Sequence, residues 1–67
     1  MTQGERILKY IDDHGSITPF EAFLELGITK LATRISELRR GGEQIQKKYV
    51  SGTNRFGEKI NYMEYTR

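Results

Sequence analysis

The residues with recognisable chemistry fall into two groups. Lys30, Thr33, Arg34 and Glu37 recur at three- and four-residue spacing, and Lys47, Lys48, Asn54, Arg55 and Lys59 follow further along the chain. The first spacing puts side chains on one face of a helix. Cations and short hydrogen-bonding groups on such a face reach phosphates and base edges in a major groove. Arg34 is the strongest base reader of the set, because a guanidinium bonds guanine O6 and N7 together. Glu37 either accepts from a cytosine N4 or pairs with Arg34 at i,i+3. The same face also reads as the solvated side of an ordinary helix, so the flanking elements must decide.

Catalysis has little material to work with. The chain has one histidine and no cysteine, which excludes most nucleophile–base pairs. His14 reads as a polar residue at a helix end. Asp12-Asp13 reads as a solvated pair rather than a metal site. No catalytic residue, metal ligand or cofactor is expected.

Sixty-seven residues allow one small domain over 1–67 and no second core. A chain of this size buries roughly 60% of its unfolded surface, so its stability is slender. Without cysteine neither disulfides nor thiolate metal sites can staple it. The net charge of +2 hides an asymmetry. Residues 1–28 carry two cations against five acids, a balance of −3, while residues 29–67 carry nine against four, a balance of +5. A basic half on a small domain points to a polyanionic partner. No apolar run approaches the roughly 20 residues that span a bilayer, and the polar N-terminus has no signal-peptide pattern. The expectation is a cytoplasmic protein with no membrane partner.

The elements that must position these groups are written in the local signals. Thr2-Gln3-Gly4-Glu5 is a capping box that opens a helix over about 3–14. Ile7, Leu8 and Ile11 form its apolar stripe, Glu5 and Lys9 stand at pairing distance, and Gly15 ends it. Ser16-Ile17 is short and extended. Thr18-Pro19-Phe20-Glu21 is a second capping box with proline at the first helical position, opening a helix over about 19–26 that stops at Gly27. Thr18 and that first turn can offer N–H groups to a phosphate. A short turn with Thr29 as N-cap then starts a helix over about 30–40. Leu31, Ile35 and Leu38 are its apolar stripe, and Gly41-Gly42 is its stop. Arg39 and Arg40 suit the negative end of that helix dipole.

After Gly42 the apolar period changes from 3.6 to 2. Strands are expected over about 44–50 and 58–65, joined by a loop rich in polar residues and glycine. Arg55 at the tip can follow phosphates or enter a narrow minor groove. Phe56 beside it is expected to fill a gap under the loop. Tyr49, Tyr62 and Tyr65 are expected to pack within the domain rather than to stack on bases. In the second strand Ile60 and Tyr62 share one face, Met63 and Tyr65 the other. The expected core is Ile7, Leu8, Ile11, Ile17, Phe20, Phe23, Leu24, Ile28, Leu31, Ile35, Leu38, Ile45, Ile60 and Tyr62. The order is three helices then a hairpin, with Ser16-Ile17 free to join the hairpin as a third strand. That is the α+β winged helix-turn-helix arrangement with a C-terminal β-hairpin wing.

The chain also resembles the small winged helix-turn-helix domains of bacteriophages and bacterial prophages. The resemblance lies in Ile7-Leu8-Lys9-Tyr10-Ile11, Gly15-Ser16-Ile17-Thr18-Pro19-Phe20-Glu21-Ala22, Leu26-Gly27-Ile28-Thr29-Lys30-Leu31-Ala32-Thr33-Arg34-Ile35 and Leu38-Arg39. It continues in Asn54-Arg55-Phe56-Gly57 and Tyr62-Met63-Glu64-Tyr65, and covers roughly residues 7–65. It implies a winged helix fold, a phage-related origin and DNA binding.

Two functions compete on this sequence. In the first, the protein binds double-stranded DNA as a transcription regulator or recombination accessory, as a monomer or homodimer. The third helix then lies in the major groove, and the contacts are Thr29, Lys30, Thr33, Arg34, Glu37, Lys47, Lys48, Asn54, Arg55 and Lys59. In the second, it is a protein-binding module that inhibits or redirects a host enzyme or nucleoprotein. One continuous cationic surface favours the first; an exposed apolar patch favours the second.

Overall fold

Thr2 and Glu5 start the chain's first helix by satisfying each other's backbone groups. The Thr2 hydroxyl accepts from the Glu5 N–H at 3.1 Å, and the Thr2 N–H donates to Glu5 Oε1 at 2.9 Å. In the computed structural model, which describes residues 1–67, this helix, α1, spans Gln3–His14. Gly15 closes it at φ 90°, a left-handed conformation that a side chain would strain. Lys9 pairs with Asp13 at 3.1 Å rather than with Glu5, whose carboxylate is held by the cap.

The second helix, α2, spans Pro19–Leu26. Thr18 and Glu21 form the same reciprocal cap, and Pro19 sits where its missing N–H costs nothing. Gly27, at φ 68°, turns the chain toward the third helix, α3, at Leu31–Arg40. The N-cap of α3 is Lys30, not Thr29, and no side chain closes its first turn. At its other end the left-handed residue is Gly42, at φ 103°; Gly41 stays at φ −80°.

The chain then leaves α3 under tight control. Arg39 donates from Nε and Nη2 to the Ile45 carbonyl at 2.8 and 2.6 Å. Arg67 bridges Asp12 of α1 and Glu43 at 3.0 and 3.3 Å. Arg39 therefore binds a specific carbonyl beyond the helix in addition to lying near the dipole's negative end.

Strands β1, Gln46–Thr53, and β2, Lys59–Thr66, pair antiparallel from Gln46↔Thr66 to Thr53↔Lys59. β1 runs on to Thr53 rather than to about 50, β2 begins at Lys59 rather than at about 58, and the loop shrinks to residues 54–58. Ile17 joins as a third strand through one residue: it exchanges both backbone hydrogen bonds with Tyr65, at 3.0 and 2.9 Å. Eight extended residues reach roughly 27 Å, and the molecule measures 39 Å along its long axis against 21 Å along the other two.

The core is Ile7, Ile11, Ile17, Ala22, Ile28, Leu31, Ile35, Ile45 and Tyr65. Leu8, Tyr10, Leu26, Leu38 and Met63 pack half-buried around it. Five expected core residues lie outside: Phe20, Phe23, Leu24, Ile60 and Tyr62 are all exposed. The reason is geometric. The side of α2 turned inward carries Ala22 and Leu26. Phe20, Phe23 and Leu24, at i, i+3 and i+4, therefore share the opposite side. In β2 the bridge to Ile17 fixes Tyr65 inward. A period of two then sends Met63 to the same side and turns Ile60 and Tyr62 the other way. No helix is long and apolar enough to cross a membrane.

Candidate nucleic-acid interface

Helix α3 buries Leu31, Ile35 and, in part, Leu38. At about 100° per residue, Thr33 and Arg40 point almost directly away from that stripe, with Ser36 and Glu37 within about 50° of the same direction. The outward face of α3 is therefore two hydroxyls, a carboxylate and a guanidinium, all on exposed residues. Ser36 and Arg40 were not among the expected contacts. The signal that finds them is the same 100° rotation, counted from the centre of the apolar stripe rather than from Lys30.

Arg34 lies on the flank, roughly 110° from the outward direction, and its side chain is largely covered. Its Nε donates to Gln3 Oε1 at 2.9 Å and its Nη1 to Glu37 Oε1 at 2.7 Å. Of the five guanidinium donors, two are committed and three remain. Glu37 is thus Arg34's partner, the alternative the sequence had left open. Gln3, 31 positions away, ties the start of α1 to this face.

The N-terminus of α3 presents first-turn N–H groups with no side-chain cap, beside exposed Thr29 and Lys30. That combination suits an anion. The N-terminus of α2 does not, contrary to expectation. Glu21 already satisfies Thr18 there, with Oε1 accepting from the Thr18 N–H at 3.0 Å, and its carboxylate repels a phosphate. Its other oxygen accepts from the Tyr10 hydroxyl at 3.4 Å. Burial, with Glu21 and Glu25 nearby, pushes the Tyr10 phenol above its ordinary value of 10.0.

On the hairpin the cations divide. Lys47 and Lys59 share one face with Tyr49, whereas Lys48 lies on the other and pairs with Glu64 at 3.4 Å. Asn54 builds the turn instead of reaching outward. Its Oδ1 accepts from the Phe56 and Glu58 N–H groups at 2.9 and 3.1 Å, and its Nδ2 donates to Glu58 Oε1 at 3.1 Å. Gly57, at φ 77°, completes the turn. Phe56 fills no gap; it is exposed, with the Arg55 guanidinium 5.9 Å from its ring centre, a cation–π distance. Tyr49 is exposed as well, while Tyr65 is core. His14 stacks on Tyr10 at 4.1 Å between ring centres.

Lys30, Lys47, Arg55 and Lys59 make no ion pair within the chain, whereas Arg34 and Lys48 do. Three helices, a turn between the second and third, a single-residue third strand and a projecting antiparallel hairpin are the parts of a winged helix-turn-helix. The winged helix-turn-helix domain family matches residues 2–66, and the chain belongs to that family. Membership points to DNA binding. No curated protein and no solved structure matches the chain.

Proposed function

We propose that this chain is a DNA-binding protein that lays α3 in the major groove and the hairpin along the backbone or into the adjacent minor groove. The observation that carries this reading is the partition of charge. The outward face of α3 is short, hydroxyl-bearing and ends in Arg40, and the unpaired cations Lys30, Lys47, Arg55 and Lys59 lie on α3's start and the hairpin. Short Thr33 and Ser36 let the helix approach base edges closely. Gln3 and Glu37 hold Arg34 in one orientation with three donors to spare, which favours recognition at a fixed position over a floating charge. Arg55 at the tip, braced on Phe56, serves the phosphates or a narrow groove.

The finer parts of the proposal follow the resemblance to phage domains. The chain is one domain of phage or prophage origin acting in the host cytoplasm, as a transcription regulator or a recombination accessory. A single α3 reads one half-site, so a homodimer on a two-fold site is the natural assembly.

The test is selection from a random duplex pool at two salt concentrations. Neutralising ~4–5 phosphates gives a slope of log K against log salt of about −4. Arg34→Ala loses discrimination at one base position by roughly 1–3 kcal/mol. Arg55→Ala weakens all sequences alike and makes the slope shallower by about 1. A flat salt response overturns the reading. A second reading, a protein-binding module, is favoured by one specific observation, the exposed apolar face of α2.

A further inference from the structure

Phe20, Phe23 and Leu24 are 70%, 57% and 61% exposed on one side of α2. Across from the start of that helix, the hairpin turns Ile60 and Tyr62 outward. Between them runs an open cleft of about 600 Å³, lined by Pro19, Phe20, Ile60 and Tyr62 together with the carboxyl-bearing Glu21 and Glu64. No residue of α3 borders it. With Phe23 and Leu24, the exposed apolar surface is on the order of 500 Å². A patch of that size on so small a domain is at the upper end of what a monomer leaves bare.

The unpaired charge around the patch is acidic. Residues 10–29 contain no Lys or Arg; Asp12 and Asp13 are paired with Arg67 and Lys9, while Glu21 and Glu25 have no cation partner. On this face of the hairpin Lys48 and Glu64 pair with each other and add no net charge. The cleft therefore matches apolar side chains flanked by cations. A second copy is a poor match. A two-fold contact through this patch sets Glu21 and Glu25 against their own copies. It buries on the order of 1,000 Å² in total, against the roughly 1,600 Å² of a standard stable interface.

We infer that the exposed face of α2 and the cleft between its start and the hairpin dock a basic amphipathic segment of another protein, with Phe20, Ile60 and Tyr62 lining the cleft, Phe23 and Leu24 further along α2, and Glu21 and Glu25 as the acidic flank. The surface is separate from α3, so DNA and such a segment are held by different parts of the domain. A contact of this area lies at the small, transient end of protein interfaces.

The experiment is an amide-resonance titration of the full chain with two synthetic helical peptides of identical leucine spacing, one with lysine and one with glutamate at every polar position. The lysine peptide is expected to bind and to shift resonances of Phe20, Phe23, Leu24 and Ile60. The glutamate peptide is expected to bind at least ~10-fold more weakly. Phe23→Ser with Leu24→Ser, both on the exposed face, weakens the lysine peptide at least ~10-fold while the melting temperature holds. Glu25→Lys narrows or reverses the preference between peptides. Equal binding of both peptides, shifts confined to the hairpin tip, or indifference to Phe23→Ser with Leu24→Ser overturns the proposal. So does sedimentation showing a dimer that the same double variant dissolves, which assigns the patch to a second copy. No DNA is present, so the outcome is independent of the DNA reading: a flat salt response there leaves this inference standing, and failure here leaves that one standing.

Discussion

Helices α2 and α3 are neighbours joined by one short turn, yet they use their outward faces in opposite ways. α2 is closed at its start by Thr18, Pro19 and Glu21 and turns two phenylalanines and a leucine to solvent. α3 starts without a side-chain cap and turns out hydroxyls, a carboxylate and a guanidinium. The helix with the better local start signals contributes less to the core: one buried residue, Ala22, against Leu31 and Ile35. Local capping and tertiary burial are therefore separate supports. α2 is held in place largely by its ends and α3 by its packing, which leaves each outward face free for a different partner.

The sharpest break of this comparison is in the core. Ile35 is 2% exposed, and Ile35→Ala is expected to cost roughly 2–5 kcal/mol through lost transfer and an unfilled cavity. That is a large share of the stability of a domain this small. Leu24→Ala, a similar truncation on α2's bare face, is expected to stay within about 0.5 kcal/mol. Urea midpoints of the two variants decide it. A Leu24→Ala loss approaching that of Ile35→Ala means that the α2 face is covered in solution.

A middle-sized effect separates the two helix starts. The Thr18 hydroxyl accepts from the Glu21 N–H at 3.2 Å, so Thr18→Ala is expected to lower stability by about 1 kcal/mol. Thr29 makes no such bond, and Thr29→Ala is expected to stay within about 0.5 kcal/mol. Thermal melts of both variants check this, and equal losses restore Thr29 as the working cap of α3.

The comparison also shows what could be read in the residues and what could not. Both capping boxes, the three helices and the hairpin were legible, because each rests on signals within a few positions of one another. The inward side of α2 was not. Five of its eight residues are apolar, and a helix apolar on most sides gives no moment strong enough to choose between Ala22 with Leu26 and the larger Phe23 with Leu24. In the fold Ala22 is buried with Leu26 half-buried beside it. Likewise β2 carries apolar residues on both faces, and only its bridge to Ile17 puts Tyr65 inside and Tyr62 out. At the candidate interface, Lys30, Lys47, Arg55 and Lys59 were legible as candidate cations, but nothing in the sequence set them apart from the paired Arg34 and Lys48. Arg34's tie to Gln3 was not legible, since it spans 31 positions, and neither was Asn54's use of its whole side chain in the turn.

The smallest expected effect lies at the start of α1, where a cap can be weighed by acid alone. The Thr2 backbone N–H, followed by the Thr2 side chain, holds the Glu5 carboxyl below its ordinary value of 4.5. The lowered value means that the folded chain binds fewer protons than the unfolded one in that range. The stabilisation is therefore complete above about pH 4.5 and is lost as pH falls through the folded-state value. Glu5→Gln keeps an oxygen that accepts from the Thr2 N–H but cannot ionise, so its melting temperature is expected to fall less steeply on acidification than that of the parent chain. Thr2→Ala keeps the ion and the backbone donor but removes the hydroxyl, and is expected to move the Glu5 carboxyl only part of the way back toward 4.5 in a carbon-detected titration. If Thr2→Ala restores it fully, the hydroxyl rather than the backbone N–H governs the cap. α1 then starts on a side-chain bond alone, closer to Thr18's role in α2 than to the uncapped start of α3.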